Sequence, residues 1–114
     1  SERDLIEDTQ ASYHTLAVDK VFYSHHEKKG RADCIKVTYI CGLKSFDEYV
    51  FKDWLGPSGY RAKKWLEARI GDKAVLSFNE VLHYLRLSDP PKTITVVTHD
   101  GKTDIFSVGF KNDR

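Results

Sequence analysis

Catalysis and metal binding need particular side chains at particular spacings, and the five histidines of this chain do not supply them. His25 and His26 are adjacent in a polar segment, while His14, His83 and His99 are scattered. None forms an HExxH pair or a Cys/His spacing that would let four ligands converge on zinc. Ser58 lies in no G-x-S-x-G turn of the kind that raises a hydroxyl for nucleophilic attack. Carboxylates are plentiful, yet no spacing sets two of them together for acid–base work. The expectation is a protein with no catalytic residues, no metal and no cofactor, and therefore not an enzyme.

The stretch "GPSGYRAKKW", residues 56–65, has the glycines and cations of a phosphate-holding loop. A Walker loop requires G-x-x-x-x-G-K-[ST], in which backbone amides wrap the phosphates and the final hydroxyl reaches magnesium. Here Gly56 and Gly59 are only three positions apart, and Lys63 and Lys64 fall inside a helical pattern. The stretch reads as a turn into a helix, with Ser58 or Gly59 near the N-cap and Arg61 and Lys64 on a solvent face.

A broader signal is the interleaving of cations with aromatic rings. "HHEKKGR" and "RAKKWLEAR" are cationic clusters, while "SERDLIEDTQ" carries four carboxylates against one arginine. The formal net charge over 114 residues is only +1, which excludes attraction to nucleic acid by net charge alone and leaves room for a local basic face. Apolar residues at 40% and charged residues at 31% are the balance of a globular domain. No apolar run approaches the ~18 residues that span a bilayer, and no signal-peptide pattern opens the sequence. Cys34 and Cys41 fall on one predicted strand, roughly 23 Å apart and on opposite faces, so they cannot be bridged to each other there. Unpaired thiols suit a reducing compartment, and the expected location is cytoplasmic, with no membrane partner.

Residues 1–12 are acidic and aperiodic and are expected to be an N-terminal lead-in, leaving 13–114 as a single domain. "YHTLAVDKVFYS" alternates as a strand: Leu16 and Val18 share one face, then Val21 and Tyr23 take the other. This change of phase at Asp19–Lys20 predicts a β-bulge. "HHEKKGRAD" reads as a hairpin connection. "CIKVTYIC" follows as a strand with Ile35, Val37, Tyr39 and Cys41 toward the core and Lys36, Thr38 and Ile40 away from it. "FDEYVFKDW" is a third strand with aromatic residues on both faces. Ala62, Trp65 and Leu66 recur at helical spacing, and Ser77 three positions before Glu80 marks the cap of a second helix. Pro90 and Pro91 end the helical region. "TITVVT" and "TDIFSVGF" are strands joined through Asp100-Gly101, a strong hairpin signal.

This order, β-β-β-α-(α)-β-β, predicts a mainly β fold with a helical insert, a five-stranded OB-like barrel. An open antiparallel sheet covered by helices on one side has the same order. In an OB barrel, strands 2 and 3 with the loops joining strands 1–2 and 4–5 form the usual nucleic-acid surface. Here that surface comprises Lys36, Thr38, Tyr49 and Phe51, with Lys28, Lys29 and Arg31 in the first loop and His99 and Lys102 in the second. Tyr60 is a further candidate for exposure, and Arg61 and Lys64 extend the basic surface. Phe51 and Trp54 are equally at home in a core.

The runs "YVFKDWLGPSGYRAKKWLEARIG" and "SFNEVLHYLRLSDPPKTITVVTHDGKTDIFSVGF" resemble the small C-terminal domain that follows the motor in phage and prophage DEAD/DEAH-type DNA helicases. The residues that carry the resemblance are Ala62 and Trp65 in the helix, Pro91, Ile94 and Val96 beyond it, and the Gly101-Lys102 hairpin; it covers about residues 35–110. The chain has no Walker A loop and no DEAD-like motif, and Leu66 stands where paired tryptophans would be expected. The resemblance implies a noncatalytic accessory module of a nucleic-acid-processing enzyme. The expected partners are single-stranded or branched DNA and a helicase motor or recombination protein; the alternative is a protein-interaction module that docks a partner through an aromatic patch.

Overall fold

The computed structural model describes residues 11–27, 34–51 and 60–109. Alternation of apolar and polar residues produces six strands among them: β1 (Ser12–Ala17), β2 (Lys20–His26), β3 (Cys34–Cys41), β4 (Lys44–Phe51), β5 (Thr93–His99) and β6 (Lys102–Gly109). Between β4 and β5 lie helix α1 (Tyr60–Ile70), a 3-10 turn over Gly71–Val75 and helix α2 (Phe78–Leu87). The fold is mainly β with a helical insert, as the sequence predicts.

The expected five-stranded barrel is not what the ladders build. Two three-stranded antiparallel sheets form, in the orders β1-β5-β6 and β2-β3-β4. The strand expected across "YHTLAVDKVFYS" is two strands in different sheets. Instead of a bulge, a corner at Val18 and Asp19 carries the chain from one to the other: the Val18 amide donates to the Lys92 carbonyl at 2.9 Å, and the Asp19 amide to the Ile40 carbonyl at 2.8 Å. At the far edges, β4 and β6 approach each other without a hydrogen-bonded ladder. A bulge does occur, in β6, where the register slips between Thr95 and Val96 and leaves Phe106 without an opposite number.

The core phase of β3 is the one expected, with Ile35, Val37 and Tyr39 buried. They join Tyr23 of β2, Val50 of β4, and Ile94 and Val96 of β5 in one cluster, closed by Leu66 of α1 and Val81, Leu82 and Leu85 of α2. Helix α2 starts at its expected cap: the Ser77 hydroxyl accepts from the Glu80 amide at 3.4 Å and donates to the Glu80 carboxylate at 2.7 Å. The β5–β6 turn has Asp100 at φ 52 and Gly101 at φ 74, the left-handed pair that matches the twist of a two-residue hairpin.

Polar groups on the inner faces fix how α1 lies on its sheet. Glu48 alternates in phase with Phe46 and Val50, and so points inward. Its Oε1 accepts from the Tyr39 hydroxyl at 2.7 Å and from Trp65 Nε1 at 3.1 Å. Arg69, one turn beyond Trp65, lays its guanidinium 3.3 Å from the centroid of that ring and donates to the Trp65 carbonyl at 2.9 Å. It also donates to the Tyr39 hydroxyl at 3.3 Å and stands 4.0 Å from Glu48 Oε1. The Arg69 side chain is 3% exposed and Glu48 25%, so Glu48 is the partly solvated member of a largely buried pair.

Removing one partner of such a pair leaves the other's charge buried and uncompensated. Glu48→Ala is expected to destabilise the fold by about 3 kcal/mol, the low end for a buried pair because Glu48 is partly wetted. Glu48→Gln keeps an acceptor for Tyr39 and Trp65 and is expected to lose less. Urea unfolding followed by circular dichroism checks this; equal midpoints for Glu48→Ala and the parent chain would contradict it.

Candidate nucleic-acid interface

Residues opposite one another in an antiparallel ladder share a face. On the outer side of the β2-β3-β4 sheet, two rows therefore cross all three strands: Phe22, Thr38 and Asp47 form one, and Ser24, Lys36 and Tyr49 the next. Their side chains point away from the core because their neighbours Tyr23, Val37, Tyr39 and Val50 are buried. Phe22 is 49% exposed and Tyr49 44%, so each presents a ring to solvent. They occupy opposite edge strands in neighbouring rows, roughly 12 Å apart by strand spacing and rise, too far to share one base.

Charge on this face is mixed. Lys20 Nζ lies 5.1 Å from the Phe22 ring centroid, and Lys36 Nζ lies 3.8 Å from Asp47 Oδ2. Asp47 Oδ1 also accepts from the Thr38 hydroxyl at 2.8 Å. At the end of the sheet nearest residue 27, the rings of His26 and Tyr49 meet across β3 with centroids 5.3 Å apart. The small Cys34 side chain lies in the His26 register; it is buried, and its thiol donates to the His26 carbonyl at 3.6 Å.

Of the residues expected at a nucleic-acid surface, Lys36 and Tyr49 are brought together as neighbours across β3 and β4. His99 and Lys102 are placed elsewhere: they close the hairpin of the other sheet, where His99 Nδ1 stands 3.0 Å from Asp100 Oδ2. Lys64 is exposed on α1, off the sheet face. Lys28, Lys29 and Arg31 lie outside the described residues, as does Trp54. Tyr60 and Arg61 open α1 and Phe51 ends β4, but their side chains lie outside what is described. Lys20, Phe22, His26 and Asp47 belong to the face without having been singled out in the sequence. The signal for the β2 residues was the alternation that resumes after the corner: with Val21 and Tyr23 inward, Lys20, Phe22, Ser24 and His26 must face outward.

The fold perturbs two buried phenols and one thiol. Burial is the main cause that raises the hydroxyl pKa values of Tyr23 and Tyr39 above the ordinary phenol range; at both, Arg69 opposes it and Glu48 adds to it. Burial also raises the Cys41 thiol, with a smaller contribution from Asp19, which keeps it protonated at neutral pH. Among the described residues, no group of three or more His, Cys, Asp or Glu stands together to hold a metal ion, and no helix is long and apolar enough to cross a membrane. No family model matches the chain, and no curated protein matches it.

Raised phenol and thiol pKa values mean that the folded chain holds these protons more tightly than the unfolded chain. The stability they confer is complete below the ordinary values of 9.0 for Cys41 and 10.0 for the tyrosines and is lost as pH climbs toward the raised ones. Urea midpoints are therefore expected to fall with increasing slope above about pH 9 to 10. In Tyr39→Phe the alkaline slope should be shallower, whatever the midpoint at neutral pH; an unchanged slope would refute the assignment.

Proposed function

We propose that the chain is a noncatalytic accessory domain that holds single-stranded or branched DNA on the outer face of the β2-β3-β4 sheet, beside a helicase or recombination protein. On this reading the two sheets are the walls of an OB-like barrel, β1 and β2 serving as one bent first strand, β3 and β4 as the second and third. The observation that carries the proposal is the pair of half-exposed rings, Phe22 and Tyr49, on one antiparallel face with Lys20 and Lys36 between and beside them. Bases of any identity stack on such rings, and cations follow the phosphates that join them. The resemblance of residues 35–110 to helicase accessory domains supports the same class of partner. We place the role in the cytoplasm, the reducing compartment that two unpaired thiols suit.

A protein-docking role is the second reading, favoured by a specific feature of the other sheet. Tyr13 and Phe106 project from its outer face, both more than half exposed, with ring centroids 5.2 Å apart. Phe106 follows core-packed Ile105 and so faces outward, and exposed aromatic pairs are typical anchors of protein interfaces.

Titration of a labelled oligothymidylate by fluorescence anisotropy at low salt tests the first reading. Tyr49→Ala and Phe22→Ala are each expected to weaken binding by about 1–3 kcal/mol, roughly fivefold to 150-fold. Replacing Lys28, Lys29 and Arg31 together is expected to weaken binding and make its salt dependence shallower. A chain that ignores DNA at low salt, or whose binding is indifferent to salt, would exclude this reading. Pull-down of a helicase motor by a chain that ignores DNA, lost in Tyr13→Ala with Phe106→Ala, would establish the second.

A further inference from the structure

Between the two sheets, at the end where the β3–β4 and β5–β6 hairpins meet, lies a cleft of about 330 Å³. Its apolar part is built from inward-facing residues of three strands: Leu16 of β1, Phe46 of β4 and Val96 of β5. Polar groups of His14, Lys44, Thr98 and Thr103 and the Cys41 thiol complete the lining. Native interiors are packed so closely that voids larger than a water molecule are few, whereas this space would hold about ten waters at liquid density. Its size falls at the lower end of the roughly 300–1,000 Å³ typical of small-molecule sites.

We propose that this cleft binds a small amphipathic anion, an organic acid whose aromatic or short aliphatic body lies on Leu16, Phe46 and Val96 and whose charged group meets Lys44. Water against the apolar residues is the unfavourable state of the cleft, and an apolar body relieves it. The sign of the ligand's charge follows from the lining, in which Lys44 is the one permanent charge among the described residues. Asp19, the carboxylate that acts on neighbouring Cys41, is itself engaged by the Gly42 amide at 2.7 Å. Thr98 and Thr103 are directly opposite one another on β5 and β6, so their hydroxyls offer donors to the same acid group. Cys41, the remaining lining residue, contributes a protonated thiol to the wall and takes no part in a reaction. The cleft lies between the sheets, whereas the proposed DNA surface is the outer side of one of them, so either can fail without the other.

The test pairs 3-phenylpropionate with its neutral isostere 3-phenylpropionamide, each titrated into the full chain and followed by amide chemical shifts in two-dimensional NMR. The acid is expected to produce saturable shifts at residues 14, 16, 44, 46, 96, 98 and 103, with a Kd on the order of 1 mM or tighter for a ligand of this size. The amide is expected to bind about fivefold more weakly, and Lys44→Ala to weaken the acid by a similar factor while leaving the amide unchanged. Lys44 is exposed, so this variant leaves the core intact. Absence of saturable shifts by about 10 mM, equal affinity for acid and amide, or shifts centred on Phe22 and Tyr49 would overturn the proposal.

Discussion

A single corner, at Val18 and Asp19, sets the relation between the two sheets. At this corner two consecutive backbone amides find partners in opposite directions: Val18 in the segment leading into β5, Asp19 in β3. The chain is thereby stitched to both sheets within one residue. Lys92 extends the stitching by donating to the Gly109 carbonyl at 2.8 Å, which ties the start of β5 to the end of β6. The Asp19 side chain meanwhile holds the Gly42 amide and so anchors the β3–β4 turn to the same point. Because the inward phase passes from Leu16 to Val21 and Tyr23 across the corner, both sheets turn apolar faces toward a shared core.

Strand alternation then makes inner and outer surfaces inseparable. Tyr39 and Glu48 point into the core beside Thr38, Asp47 and Tyr49, which point out of it, so the same backbones carry the buried polar network and the exposed ring-bearing face. A buried ion pair is a weak source of stability, since desolvating both charges offsets most of their attraction. What Glu48 and Arg69 supply is direction. Glu48 accepts from Tyr39 and Trp65 together only when α1 lies with Trp65 over β4, and the guanidinium stacked on that ring holds the same arrangement from the helix side.

The readable parts of the sequence were those in which one residue type has one local use. Ser77 with Glu80 caps a helix, Asp100-Gly101 turns a hairpin, and the alternation from Ile35 to Tyr39 selects a buried face; each depends on neighbours within a few positions. The corner was visible as a change of phase but not as a change of sheet, because a bulge and a corner produce the same slip and differ only in which distant strand accepts the amides. The facing of β4 was obscured by aromatic residues on both sides. Glu48 was the informative residue there: a carboxylate in phase with Phe46 and Val50 requires a buried partner, and Arg69 lies 21 positions away, beyond any local pattern. Of the proposed binding face, Lys36 was legible from the core phase of β3 and Tyr49 only as a ring expected to be exposed, whereas placing His99 and Lys102 beside them relied on loop positions that pairing within the other sheet does not reproduce.

The composition of the outer face constrains how it would hold a nucleic acid. Lys36 is shared with Asp47, whose second oxygen takes the Thr38 hydroxyl, so this row presents a cation already half compensated. A surface that relied on phosphate contacts would gain little from such a lysine, since a carboxylate beside it repels the same backbone that the ammonium attracts. Ring stacking suffers no such opposition: Phe22 and Tyr49 lie in different rows, one near Lys20 and the other against His26, and neither has a carboxylate between its face and solvent among the contacts described. On the proposed reading, stacking is therefore the larger contribution of the sheet itself. Discrimination among bases by stacking would be weak, because every base offers a stacking face.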